Sequence, residues 1–112
     1  MAVYVDREQI PWRGKLWCHL VADSLDELHA FASALGLKRS WFQDRASYPH
    51  YDVTMSMRER ALKRGALSVG KTEMLKSARK LKLELTSMHA ATHSMIARPV
   101  RAVQQYGSLP LF

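Results

Sequence analysis

Hydrophobic and polar positions follow two periods along the first two thirds of the chain and then settle into one. Ala2-Val3-Tyr4-Val5-Asp6 is a β-branched and aromatic run that closes on an acid, which predicts a buried strand. Pro11 and Gly14 mark residues 7–15 as a loop. Leu16 to Ala22 predicts a second strand, with Trp17, His19, Val21 and Asp23 on one face and Leu16, Cys18, Leu20 and Ala22 on the other. Ser24-Leu25-Asp26-Glu27 is a capping box, in which the serine hydroxyl accepts from the N3 amide and the glutamate reaches back. The helix behind it carries Leu25, Leu28, Phe31, Ala32 and Leu35 in one stripe and stops at Gly36.

Arg39 to Gln43 reads as a third strand and Asp44 to Pro49 as a loop. Thr54 or Ser56 caps a short helix that runs through Arg64 and ends at Gly65, and Ala66 to Val69 is a short strand. From Thr72 to Ala97 the apolar positions Met74, Ala78, Leu81, Leu85, Met88, Thr92 and Met95 step by four and three, the seam of one long helix. At 1.5 Å per residue it would reach ~38 Å. Its first half is expected to pack on its own sheet, and its second half is open to pairing as a homo-oligomer. Strands alternating with helices predict an α/β fold: a small mixed, partly parallel sheet flanked by helices, with a long basic C-terminal helix. The expected organisation is one domain over residues 1–97, including helix 72–97, and an extended tail over 98–112.

The chain's 112 residues are enough for a core without staples. One cysteine excludes a disulfide framework and fits a reducing, cytoplasmic setting. Neither a signal-peptide pattern nor a bilayer-length apolar run is seen, so no membrane association is expected. Charge divides unevenly: residues 1–53 hold 6 Lys/Arg against 7 Asp/Glu, and residues 54–112 hold 11 against 3. That asymmetry points to an anionic partner, nucleic acid, for the second half, with Lys63, Arg64, Lys71, Lys76, Arg79, Lys80 and Lys82 as the contacting cations. The plain counter-reading is a solvated basic helix face.

Polar chemistry is set into the apolar elements. His19 and Asp23 share a strand face, His50 and Asp52 share one if that segment is extended, and Asp6 ends a strand, where α/β folds place ligands. Two histidines with two or three carboxylates can hold a divalent metal or act as general acid and base. The spacing matches no standard metal motif, and the alternative is that these groups tie down neighbouring loops by hydrogen bonds. Asp26, Glu27 and His29 are accounted for by helix capping and helix surface. Gly65-Ala66-Leu67-Ser68-Val69-Gly70-Lys71-Thr72 fits the letters of a phosphate-binding loop, but a charged helix precedes it where a buried strand is required. Gly65 reads instead as a helix C-cap and Thr72 as the next N-cap. His89 and His93 have the spacing of a zinc-protease helix, but Ala90 stands where the glutamate belongs. Cys18, facing away from His19, reads as a small core residue.

Ser108-Leu109-Pro110-Leu111-Phe112 places three apolar anchors at the end of the chain. It resembles the C-terminal peptide by which bacterial replication and repair proteins dock on the DNA sliding clamp. That pattern has glutamine two positions before the serine, where this chain has Tyr106. The alternative is a tail folded back over its own domain.

Val3-Tyr4-Val5-Asp6, Trp17 to Ser24, Glu27 to Ala32, Gly36-Leu37, Trp41-Phe42-Gln43 and Pro49 to Val53 together resemble domain-of-unknown-function family 4031 of bacteria and phages, over about residues 1–70. The resemblance implies a small cytoplasmic α/β domain with no assigned activity. In some bacterial members a similar domain is joined to an HD-type phosphohydrolase, which hints at nucleotide or nucleic-acid metabolism. The expectation is therefore a small DNA-associated protein, phage-encoded in one reading. Its His/Asp site would act, if catalytic, as a metal-dependent phosphoesterase or nuclease, and its tail would dock on a clamp. The alternative is a non-catalytic interaction or inhibitor protein that binds a host replication factor.

Overall fold

The computed structural model describes residues 2–93, and the side chains of residues 2–88. Five strands and three helices follow in the order β1 (Val3–Val5), β2 (Ile10–Trp12), β3 (Lys15–Ala22), α1 (Leu25–Leu35), β4 (Tyr51–Thr54), α2 (Met55–Lys63), β5 (Leu67–Ser68) and α3 (Lys71–His93). β3 is the spine. Its residues 20–22 pair antiparallel with β1 and its residues 15–17 with β2, while residues 17–20 pair antiparallel with β4. Trp17 and Leu20 are each paired twice, so β1 and β2 share one edge of β3 and β4 takes the other. β5 adds parallel to β1, which makes the sheet mixed and the fold α/β.

Helix ends form where the chain chemistry directs. Ser24 Oγ accepts from the Glu27 amide at 3.2 Å, and Thr54 Oγ1 accepts from the Met57 amide at 3.3 Å. Both following glycines sit at positive φ, Gly36 at 92° and Gly65 at 106°. At Gly65 the amides of Gly65 and Ala66 bond the carbonyls of Leu62 and Ala61, closing a Schellman motif. This confirms Gly65 as a helix stop and not the first glycine of a phosphate loop; β5 lies inside that stretch. α3 begins at Lys71 rather than behind a Thr72 cap, because the Gly70 carbonyl already accepts from the Met74 amide.

Two elements differ from expectation. Residues 7–15 are not all loop: Ile10–Trp12 pairs with Lys15–Trp17 as a hairpin arm. Pro11 is tolerated there because β2 is an edge strand with no ladder bond to lose. Residues 39–43 are not a strand. Arg39–Trp41 is a single 3-10 turn, since the chain leaving Gly36 meets no ladder partner until the Gln43 amide reaches the His50 carbonyl at 2.8 Å.

The core gathers Val5, Leu20 and Val53 from the sheet, Leu28 and Leu35 from α1, and Met74, Ala78 and Leu81 from α3, all buried. α3 is stitched to the β3–α1 junction: Ser77 Oγ donates to the Ala22 carbonyl at 2.7 Å, and Glu84 accepts from the Leu25 amide at 2.9 Å. Its predicted seam is buried through Leu81 and partly at Leu85, then surfaces at Met88. Residues 94–97 of the predicted helix, the seam position Met95 and the tail 98–112 lie outside the described residues, and so do the side chains of His89, Thr92 and His93. Among the described residues no helix is long and apolar enough to cross a membrane.

Candidate functional site

Register builds the site. His19 stands opposite Asp52 across the β3–β4 ladder. On the other edge, Asp6 is the first residue past β1. Its amide donates to the His19 carbonyl at 3.3 Å, and its Oδ1 accepts from the His19 amide at 3.0 Å. The row Asp6–His19–Asp52 therefore crosses three strands. His50, two residues before Asp52, projects to the same face, and its ring meets the His19 ring edge-on with centroids 5.0 Å apart. All four side chains are buried.

Each histidine has one nitrogen committed to a fixed acceptor. His19 Nδ1 is 2.6 Å from Asp6 Oδ2, and a carboxylate can only accept there, so Nδ1 carries the proton. His50 Nδ1 is 2.7 Å from the Tyr48 carbonyl, which likewise requires a proton on Nδ1. In each neutral ring the lone pair then lies on Nε2. His50 Nε2 lies 3.1 Å from Asp52 Oδ1. A lone pair facing a carboxylate at that distance is repulsive unless a proton or a metal cation lies between them. His19, His50 and Asp52 each offer one ligand atom within 4.8 Å of the others. Two imidazoles oriented through Nδ1 by a carboxylate and a carbonyl, plus one carboxylate, could hold a divalent cation such as Zn²⁺ or Mn²⁺.

Cys18 cannot join this set. It points to the opposite face of β3 and is fully buried, and desolvation, reinforced by Asp6, pushes its thiol up to about 12. Asp23, on the same face as His19, is held elsewhere. It accepts from the Ala2 amide at 2.9 Å and the Tyr4 hydroxyl at 3.1 Å, with Lys80 Nζ at 3.8 Å. The Tyr4 phenol is raised above its ordinary value, first by burial and then by that bond to Asp23. The structure thus brings Asp6, His19, His50 and Asp52 together and gives Asp23 a place in the packing of α3. His29 is not simple helix surface: its Nδ1 is 2.9 Å from the Tyr51 hydroxyl and its ring packs edge-on to Phe42. Burial, then the Arg39 guanidinium, lowers it to about 4.

Asp52 also lines a groove of about 410 Å³ whose other walls include Trp12, Arg13, Trp17, Trp41 and Met57. The sequence pattern does not bring these residues together, because a loop at residues 7–15 and a strand at 39–43 give Trp12 and Trp41 no common face. The signal is Trp12-Arg13-Gly14-Lys15, a two-residue turn with glycine at its second position between two short runs.

Residues 3–81 match the family described as "Protein of unknown function (DUF4031)". The chain belongs to the DUF4031 family. The match runs past the motif-bearing segment and into α3, so the first half of that helix is part of the family domain. No curated protein and no solved structure matches the chain.

Proposed function

We propose that this DUF4031 protein is a metal-dependent phosphoester hydrolase that works beside nucleic acid. The observation that carries the reading is the pair of imidazoles with both Nδ1 atoms engaged, converging with Asp52 in a buried cluster. His19, His50 and Asp52 would hold a divalent cation, which would supply a water of lowered pKa as the nucleophile. Asp6 orients His19 and supplies a second buried negative charge that favours a cation. Asp52 joins the cluster to the groove, the route by which a phosphoester would reach it.

The expected anionic partner is supported by exposure: Lys63, Arg64, Lys71, Lys76, Arg79, Lys80 and Lys82 all reach solvent. Two of them are also held locally. Lys80 pairs with Asp23, and Lys82 Nζ donates to the Ser47 carbonyl at 3.0 Å while lying over the Tyr48 ring. Lys63, Arg64, Lys71, Lys76 and Arg79 are therefore the better phosphate contacts. The tail Ser108-Leu109-Pro110-Leu111-Phe112 would tether the domain to a sliding clamp and raise its concentration near DNA.

The test is hydrolysis of p-nitrophenyl phosphate and bis-p-nitrophenyl phosphate by the full chain with Mn²⁺ or Zn²⁺, with and without EDTA. Metal-dependent turnover that disappears in folded His50→Ala and Asp52→Asn variants is expected. Turnover that survives both variants, or no uptake of either metal by calorimetry, refutes the centre. Binding to DNA should weaken steeply with salt, and a flat salt response removes nucleic acid from the reading. Deleting residues 108–112 should abolish clamp binding.

A further inference from the structure

All three tryptophans of the chain, Trp12, Trp17 and Trp41, line the groove that Asp52 closes at one side. Their placement is held from several directions. Trp12 and Trp17 pack edge-to-face with centroids 5.4 Å apart, and Trp17 Nε1 donates to the Trp12 carbonyl at 2.8 Å. Both rings therefore belong to one preformed wall, given by the β2–β3 hairpin. Trp41 comes from the 3-10 turn on the far side of the chain order.

Cations frame these rings. The Arg13 guanidinium lies 4.7 Å from the Trp12 ring centroid, and Lys38 Nζ lies 5.7 Å from that of Trp41. Arg13 is one of the two turn residues of the hairpin, with φ of 51°, followed by Gly14 at 75°. Positive φ at both positions is what a type I′ turn requires, and Asn, Asp or Gly would meet it with less strain than arginine. A local rule is broken in order to hold a guanidinium at the groove mouth, the kind of departure that accompanies a functional contact.

Flat aromatic walls accept a planar ring on either face, and arginine beside them supplies a planar fork for phosphate. The volume is that of a small-molecule site. We infer that the groove binds a free nucleotide, its base against the tryptophans and its phosphate on Arg13. This goes beyond the proposed hydrolytic centre and does not rest on it for binding.

Because the three tryptophans all line the groove, intrinsic fluorescence reports its occupancy directly. The full chain, in EDTA, would be titrated with adenosine 5′-monophosphate, adenosine, ribose 5-phosphate and a short single-stranded oligo-dA. Saturable quenching by adenosine 5′-monophosphate with a dissociation constant of about 1 mM or tighter is expected. Adenosine should bind more weakly and ribose 5-phosphate should not quench. Trp41→Ala should weaken the nucleotide about tenfold, the scale of one lost stacking contact. Arg13→Ala changes an exposed turn residue, so the fold should persist by circular dichroism while the nucleotide loses its advantage over adenosine. No saturable quenching, equal response to ribose 5-phosphate, quenching by oligo-dA alone, or unchanged affinity in Arg13→Ala would overturn the inference. The two readings fail separately. Nucleotide binding in EDTA without any metal-dependent turnover leaves the groove and removes the centre. Turnover of p-nitrophenyl phosphate without nucleotide binding does the reverse.

Discussion

His50 and Asp52 sit two residues apart on one strand edge, and the ring Nε2 of the first lies 3.1 Å from the carboxylate of the second while Nδ1 is held by the Tyr48 carbonyl. Two such groups, both buried, are compatible only with positive charge between them, a proton or a cation. Burying a carboxylate without compensation would cost several kcal/mol. A cation that binds the native state alone should therefore stabilise it. Zn²⁺ or Mn²⁺ at a hundred times its dissociation constant should add about 2.7 kcal/mol. Thermal melts with metal and then with excess EDTA measure this; superimposable melts would leave a proton as the bridging charge.

Asp6 bears on the cluster through His19. It takes both the backbone amide and the ring Nδ1–H of that residue. Asp6→Asn keeps the shape but removes the charge that fixes the tautomer. Metal affinity should fall roughly 10- to 100-fold with the sheet intact. Calorimetry on the variant measures the loss, and circular dichroism checks the fold. Unchanged affinity would reduce Asp6 to a strand-end hydrogen bond.

His29 should make stability fall on the acid side of neutrality. Its ordinary value is 6.5, and in the folded chain it is lowered to about 4, by burial first. The unfolded chain therefore binds more protons between those two values, and stability is lost as pH drops through that window. Because the ring is only half-buried, the effect is expected to be on the order of 1 kcal/mol after solvent screening. Urea unfolding of the wild type and of His29→Gln at pH 7 and pH 4.5 isolates it. The variant should lose less stability between the two.

α3 has a packed face and a solvent face, and two leucines two residues apart read out the difference. Leu81 is fully buried, whereas Leu83 is 70% exposed. Leu81→Ala should cost about 2–5 kcal/mol by chemical denaturation. Leu83→Ala should stay within about 0.5 kcal/mol of the wild type. A large loss at Leu83 would mean that a second copy covers this face in solution.

Periodicity and capping alone determined much of the chain. The faces of β3, the Ser24 cap, the stripe on α1, the Thr54 cap, the Gly65 stop and the seam of α3 through Leu81 are all written in the spacing of residues a few positions apart, which local physics reads. The chemistry-bearing residues were legible as well, since buried polar side chains on apolar elements are costly and therefore conspicuous. Three matters were decided only by tertiary structure. Residues 39–43 have a strand's composition and no strand beside them. Asp23 and Asp6 look equivalent at strand ends, yet pairing puts Asp6 opposite His19 while Tyr4, Ala2 and Lys80 draw Asp23 away. The groove needs Trp12, Trp17, Trp41 and Asp52 from four separate segments. Which residues meet across a sheet depends on register and on the return path of the chain. Both are set by burying the whole core at once, so no local window of sequence contains them.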